Sequence, residues 1–180
     1  MRGKAIHTHG RGSYLDFSAS PKLSFAAGAD FTFCCWVRTR QNNGAIPSNR
    51  ADTDATPDID LHVGSGELRL EVRQEGTIGY IATLRGHKPV SDGAWHHFAF
   101  TRRGSDLALY TDGALQERQE NTRSGGAIHT DLRALGAELY WETVGDRLDM
   151  AYLAGDFDEF CVFGRALRAA EIGRLAGTNP

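Results

Sequence analysis

Residues 30–40 read DFTFCCWVRTR, and this stretch restricts the fold more than any other. A β-strand sends successive side chains to opposite faces. Phe31, Phe33, Cys35 and Val37 therefore line one side, and Thr32, Cys34, Trp36 and Arg38 line the other. A large aromatic on the second side predicts a strand that is at least partly covered on both faces.

The rest of the chain repeats the same kind of element. Short apolar or alternating runs at Tyr14–Phe17, Leu23–Phe25, IDLHV, ELRLEVRQ, TIGYIATLRG, WHHFAFTRRG, DLALYTDG and DFDEFCVFG are separated by Gly, Asp and Asn turns. Leu68, Leu70 and Val72 alternate with charges, so that strand is expected to have one wet face. Only RALRAAEIGRLAG looks helical, with Ile172 and Leu175 on one side and Gly177 to end it. Many short strands with one small terminal helix predict an all-β antiparallel sandwich or barrel. With 180 residues there is room for one well-packed domain. The expected division is a flexible N-terminal arm at 1–12 and a single domain at 13–180.

The formal net charge of -3 and scattered arginines give no electrostatic reason for a nucleic-acid or anionic-membrane partner. No apolar run is long enough to span a bilayer, and the N-terminus has no apolar signal segment. A virion or cytoplasmic location is therefore expected, or an extracellular one for a piece trimmed from a secreted protein. Cys34 and Cys35 point to opposite faces, so they are not expected to pair with each other. One of them could reach Cys161, but apolar neighbours and the odd count favour buried free thiols.

The order and spacing of several segments carry a family likeness. SYLDF is followed by FTFCCWVRTR, GELRLEVR, SDGAWHHFAFTRRGSDLALYTDG and LAGDFDEFCVFGRALRAAEIGRLAG. Together they resemble the laminin G-like, or concanavalin A-like, jelly-roll domains, and especially their pentraxin-like branch. The resemblance implies two antiparallel sheets packed face to face and chain ends that lie close together. It implies ligands drawn from glycans, proteins or lipids, and calcium in many members. One departure concerns the helix. Arg168 stands where relatives often place a capping Ser, so Glu171 lacks its usual partner and the first turn is expected to fray.

His96 and His97 alternate faces and cannot share one metal without a bulge. They are expected to serve the scaffold, with Trp95 in the core and one His bonded to a neighbouring strand or turn. In DFDEF, Asp156 and Asp158 are expected to share a face with Phe160, which leaves no row of carboxylates for glycoside hydrolysis. The resemblance implies instead that Asp158 helps to hold a structural Ca2+, with Asp16 a further ligand. The polar stretch QNNGAIPSNRADTDATPD and the following Asp60 supply four more acids. Of these, Asp52 and Asp54 are the second calcium candidates, although the loop lacks EF-hand spacing. Tyr140, Trp141, Glu142 and Arg147 combine aromatic faces with a carboxylate and a guanidinium, as glycan recognition requires. They would serve a protein interface equally well. The expected function is thus a non-catalytic, lectin-like glycan-binding module stabilised by calcium. The alternative is a virion or other structural subunit that binds a protein surface in a homo-oligomer or larger assembly. A glycoside hydrolase ranks third.

Overall fold

The computed structural model describes residues 4–17, 25–48, 50, 58–73, 82–128, 134–139 and 152–177. The strands are β1 (Ile6–His9), β2 (Leu15–Asp16), β3 (Phe31–Thr39), β4 (Gly44–Ser48), β5 (Ile59–Gly64) and β6 (Glu67–Val72). They continue with β7 (Ala82–Arg85), β8 (Trp95–Arg103), β9 (Asp106–Thr111), β10 (Ala114–Gln119), β11 (Ala134–Leu135) and β12 (Ala154–Phe163). A helix, α1 (Ala169–Ala176), follows. The first sheet has the order β1-β12-β3-β8-β9-β10 and the second β2-β11-β4-β5-β6-β7, each with six strands. Every pairing is antiparallel. The two sheets pack as a jelly-roll sandwich.

The core is the layer between them. Phe31, Phe33, Cys35 and Val37 of β3 join Phe98 and Phe100 of β8 and Leu107 and Leu109 of β9. The facing sheet contributes Ile59, Leu61 and Val63 from β5 and Leu68, Leu70 and Val72 from β6. Phe33 and Phe100 stack with centroids 4.9 Å apart across the β3–β8 pair. The second face of β3 is covered too: Cys34 packs with Ala99, Ala108 and Tyr110 beneath Leu167 and Ile172. Helix α1 therefore docks on the outside of the first sheet. It lies against the β9–β10 turn, where a Cβ on Gly113 would come within 3.0 Å of the Gly173 backbone. Asp112 and Gly113 both take positive φ, 50° and 77°, as a two-residue hairpin turn requires.

Several expectations are corrected. Ile6–His9, assigned to a flexible arm, form β1 and pair with Phe157–Ala154 of β12. The open edge of β12 satisfies their backbone groups, which composition alone does not reveal. This pairing also sets an early strand beside the last one, as the resemblance implies. Trp95 is not in the core. It is half-buried on the outside of the first sheet, with the Arg38 guanidinium 5.0 Å from its ring centre. In β12, Asp158 opposes Trp36 but Cys161 opposes Cys34. The extra residue makes a bulge, with Glu159 at φ 48°. Phe160 therefore turns inward against the core and does not share the face of Asp156 and Asp158. Glu171 is also better anchored than expected. It accepts the Arg168 N–H at 2.8 Å and binds both Arg165 Nη atoms at 3.0 and 2.8 Å, which holds the first turn of α1.

Candidate functional site

Strand β5 buries Ile59, Leu61 and Val63, so alternation sends Asp60 and His62 outward, with Asp58 just before them. Strand β6 buries Leu68, Leu70 and Val72 and sends Arg69 and Glu71 outward, with Arg73 just after them. The register sets Asp60 opposite Glu71 and His62 opposite Arg69. Asp58 and Arg73 exchange backbone hydrogen bonds of 3.1 and 2.8 Å. Ser48 of β4 flanks Asp60 on its other side.

The outer face of an antiparallel sheet is ordinarily solvated. Here Asp58 is 0% exposed, Asp60 1%, Glu71 4%, Arg73 1% and His62 6%. Arg50 and Glu138, at 7% and 3%, join them through a 3.0 Å contact. The expected wet face of β6 therefore holds at Glu67 and Arg69 and gives way to a buried charged layer from Glu71 onward.

Such charges are tolerated only with compensation. His62 Nδ1 meets Asp60 Oδ2 at 2.8 Å, and Arg69 Nη2 meets Glu71 Oε1 at 2.7 Å. Burial opposes a charged His62, but the Asp60 carboxylate more than offsets it and holds the imidazole above its ordinary range. Asp58 is different. Its Oδ2 is 3.4 Å from Arg73 Nη1, and neither of its oxygens accepts a hydrogen bond. Burial pushes its carboxyl up to about 7, assisted by Asp60 and Glu71 and opposed by Arg73 and Arg50. One flank of the layer is open. A cleft of about 250 Å³ is lined by His62 and Arg69 together with Asn43, Glu67 and Arg85. It offers cationic donors, a carboxylate and an amide to a polar ligand.

Tyr140, Trp141, Glu142, Arg147, Asp52 and Asp54 lie outside the described residues. The described residues that bracket those segments in sequence do meet. Arg50 and Asp58 flank Asp52 and Asp54, Glu138 stands just ahead of Tyr140, and all three belong to the charged layer. Asp158 and Asp16 lie on different sheets. Asp158 is on the first sheet, with its Oδ1 taking the Glu159 N–H at 2.8 Å. Asp16 is on the second, opposite Ala134. Among the described residues no three His, Cys, Asp or Glu side chains converge as metal ligands.

Asp58, Asp60, His62, Glu71 and Arg73 were missed as a group. The signal was present in DIDLHV followed by ELRLEVR, where polar residues alternate in two consecutive segments. His96 and His97 hold the scaffold as expected. His96 contacts Asp112 at 2.9 Å and Asp92 at 3.1 Å, while His97 packs edge-on to Trp36 with centroids 5.3 Å apart.

Comparison with known proteins bears on the whole sandwich. The chain is similar to the IT-sialidase CBM40 of Ruminococcus gnavus bound to α2,3-sialyllactose, with TM-score 0.70, 17% identity and 97% of each chain covered. It is similar to the heptameric SAP-like pentraxin of Limulus polyphemus, with TM-score 0.63, 19% identity, and 96% and 81% of the two chains covered. Mouse laminin α1 domains LG4-5 match with TM-score 0.62 and 14% identity over 94% of this chain, which spans 48% of that one. At these identities the likeness is one of fold. No curated protein sequence matches. The family model described as the concanavalin A-like lectin/glucanases superfamily matches residues 9–173, and the chain belongs to that family.

Proposed function

We propose that this domain is a non-catalytic glycan-binding module that takes its ligand on the outer side of the second sheet. The observation that carries this reading is the charged layer around Asp60, which opens to solvent at the cleft beside His62. Saccharides are bound by clusters of directional donors and acceptors held in fixed positions, and paired buried charges are rigid. The family and the sialyllactose-bound CBM40 relative support the same reading.

The carboxylates argue against hydrolysis. A glycosidase needs a pair of them flanking one sugar bond. Asp60 is engaged by His62, Glu71 by Arg69 and Glu138 by Arg50, which leaves Asp58 as the acid of this layer without a hydrogen bond.

The test is a glycan array that includes sialylated and neutral oligosaccharides, followed by calorimetry on the best ligand. Arg69→Ala and His62→Asn should each weaken binding about tenfold or more, the cost of one hydrogen bond to a charged group. Their melting curves should stay cooperative. Binding that both variants retain would overturn the location. Release of sugar from the bound glycan would overturn the non-catalytic assignment.

A further inference from the structure

The outside of the first sheet carries a different polar arrangement, far from the charged layer. The register aligns His7, Asp156, Arg38 and Trp95 in one row across β1, β12, β3 and β8. Asp156 sits at its centre. Its Oδ1 is 2.7 Å from His7 Nδ1, and its Oδ2 accepts the Arg38 Nε–H at 2.8 Å. Burial disfavours the Asp156 carboxylate, but these two contacts outweigh it and hold the group below its usual range. Arg38 is fixed on its other side by the Trp95 ring.

Beside this row is a hollow of about 480 Å³, bounded by His7, His9, Arg38, Arg40 and Asp156. Its floor is made of small residues, Ala154, Gly155 and Gly93. The Arg40 guanidinium lies over Gly93, where a Cβ would come within 2.7 Å of it. Among the described residues Arg40 has neither a hydrogen bond nor an ion pair, and His9 meets the edge of the His7 ring, at 4.5 Å between centroids. Among the described residues, two guanidiniums and two imidazoles therefore face one hollow with a single carboxylate, which is already shared by His7 and Arg38.

We propose that this hollow is a second binding site, for the sulfate or carboxylate group of an acidic saccharide. The charge balance selects an anion. Asp156 and Trp95 hold Arg38 in place, so its fork is organised in advance for an oxyanion. A volume of about 480 Å³ exceeds what a bare ion fills and falls within the range of small-ligand sites. The saccharide part of the assignment rests on the glycan-binding reading; the anion part does not.

The experiment titrates the full chain with inorganic sulfate, a sulfated disaccharide, an oligogalacturonide and a neutral disaccharide, read by calorimetry and amide chemical shifts. The sulfated or the uronate sugar should bind more tightly than inorganic sulfate, and the neutral sugar should not perturb β1, β3 or β12. Arg40→Ala should weaken acidic-sugar binding about tenfold, as expected for loss of one charge-assisted contact, and should leave the melting temperature nearly unchanged. Arg69→Ala, on the other sheet, should leave this response intact even if it abolishes binding there. Equal affinity for sulfate and for the acidic sugars would overturn the saccharide assignment. Binding that Arg40→Ala leaves unaltered, or no anion response at all, would overturn the site.

Discussion

His96 Nδ1 lies 2.9 Å from Asp112 Oδ2, and the other oxygen of the same carboxylate accepts the His97 backbone N–H at 2.9 Å. One turn aspartate thus holds two consecutive histidines that face opposite sides of β8. The hydrogen bond with Asp112 raises the His96 pKa against the opposing effect of burial. The same contact, with those from Lys88 and the His97 N–H, outweighs burial and holds Asp112 well below the carboxylate range.

The His96–Asp112 pair should stabilise the fold only over a pH window. A raised His pKa gives stability that is full below the ordinary value and is lost as pH rises through the folded one. A depressed Asp pKa gives stability that is lost as pH falls through the carboxylate range. Asp112→Asn tolerates the positive φ and keeps an acceptor for His97. It should cost about 1.5–3 kcal/mol near pH 5 and less above the folded pKa of His96. Denaturant unfolding of both proteins across this range measures the difference; a difference independent of pH would exclude a role for the charge.

His97 should act in the opposite direction. Burial pushes its pKa down to about 4, with Asp112 resisting. A depressed folded pKa means stability that fades as pH falls from the ordinary histidine value towards the folded one. The loss over that interval is about 3 kcal/mol. His97→Gln should flatten the acid limb of the stability curve, and an unchanged limb would show that His97 is not the titrating group.

Asp58 should weaken the fold towards alkaline pH. Its raised pKa means that its contribution is full below the ordinary carboxylate value and is lost as pH rises to about 7. The span corresponds to about 4 kcal/mol. Asp58→Asn keeps the shape without the ionisation, so relative to the wild type it should gain stability between about pH 5 and 8. Equilibrium unfolding at several pH values reads this directly. A variant whose curve stays parallel to that of the wild type would place the ionisation elsewhere.

Thiol labelling should separate the three cysteines. All are free; Cys34 and Cys35 are buried and Cys161 is exposed. Burial pushes the Cys34 thiol up to about 12, assisted by Cys161 opposite it. Iodoacetamide should modify Cys161 first in the native protein, as read by mass spectrometry, and reductant should leave the melting temperature unchanged. A stability loss of about 2–4 kcal/mol on reduction would reveal a bridge.

Much of the sandwich was legible because alternation is a local property. The two faces of β3 and the apolar side of β6 follow from side-chain period alone. Three features broke the local rule. Glu159 inserts an extra residue into β12, so parity changes between Asp158 and Phe160. Ile6–His9 gain their order from a partner about 150 residues away. Arg102, charged and near the end of β8, is buried at 0% exposure because the carbonyls of Ala26, Ala29 and Gly126 receive its guanidinium.

The sequence by itself determined the two faces of β3 and the apolar side of β6, where hairpins turn and that His96 and His97 belong to the scaffold. Only the tertiary structure decided where the charges go. Glu71 and the other charges that alternate with Leu68, Leu70 and Val72 read as a wet face because polarity in a strand normally marks the solvated side. Whether an outward face meets water depends on what covers it and on which residues register brings together. Arg50 against Glu138 and Arg38 between Asp156 and Trp95 are long-range pairings. No local pattern encodes them, since each requires strands distant in sequence to align in one register.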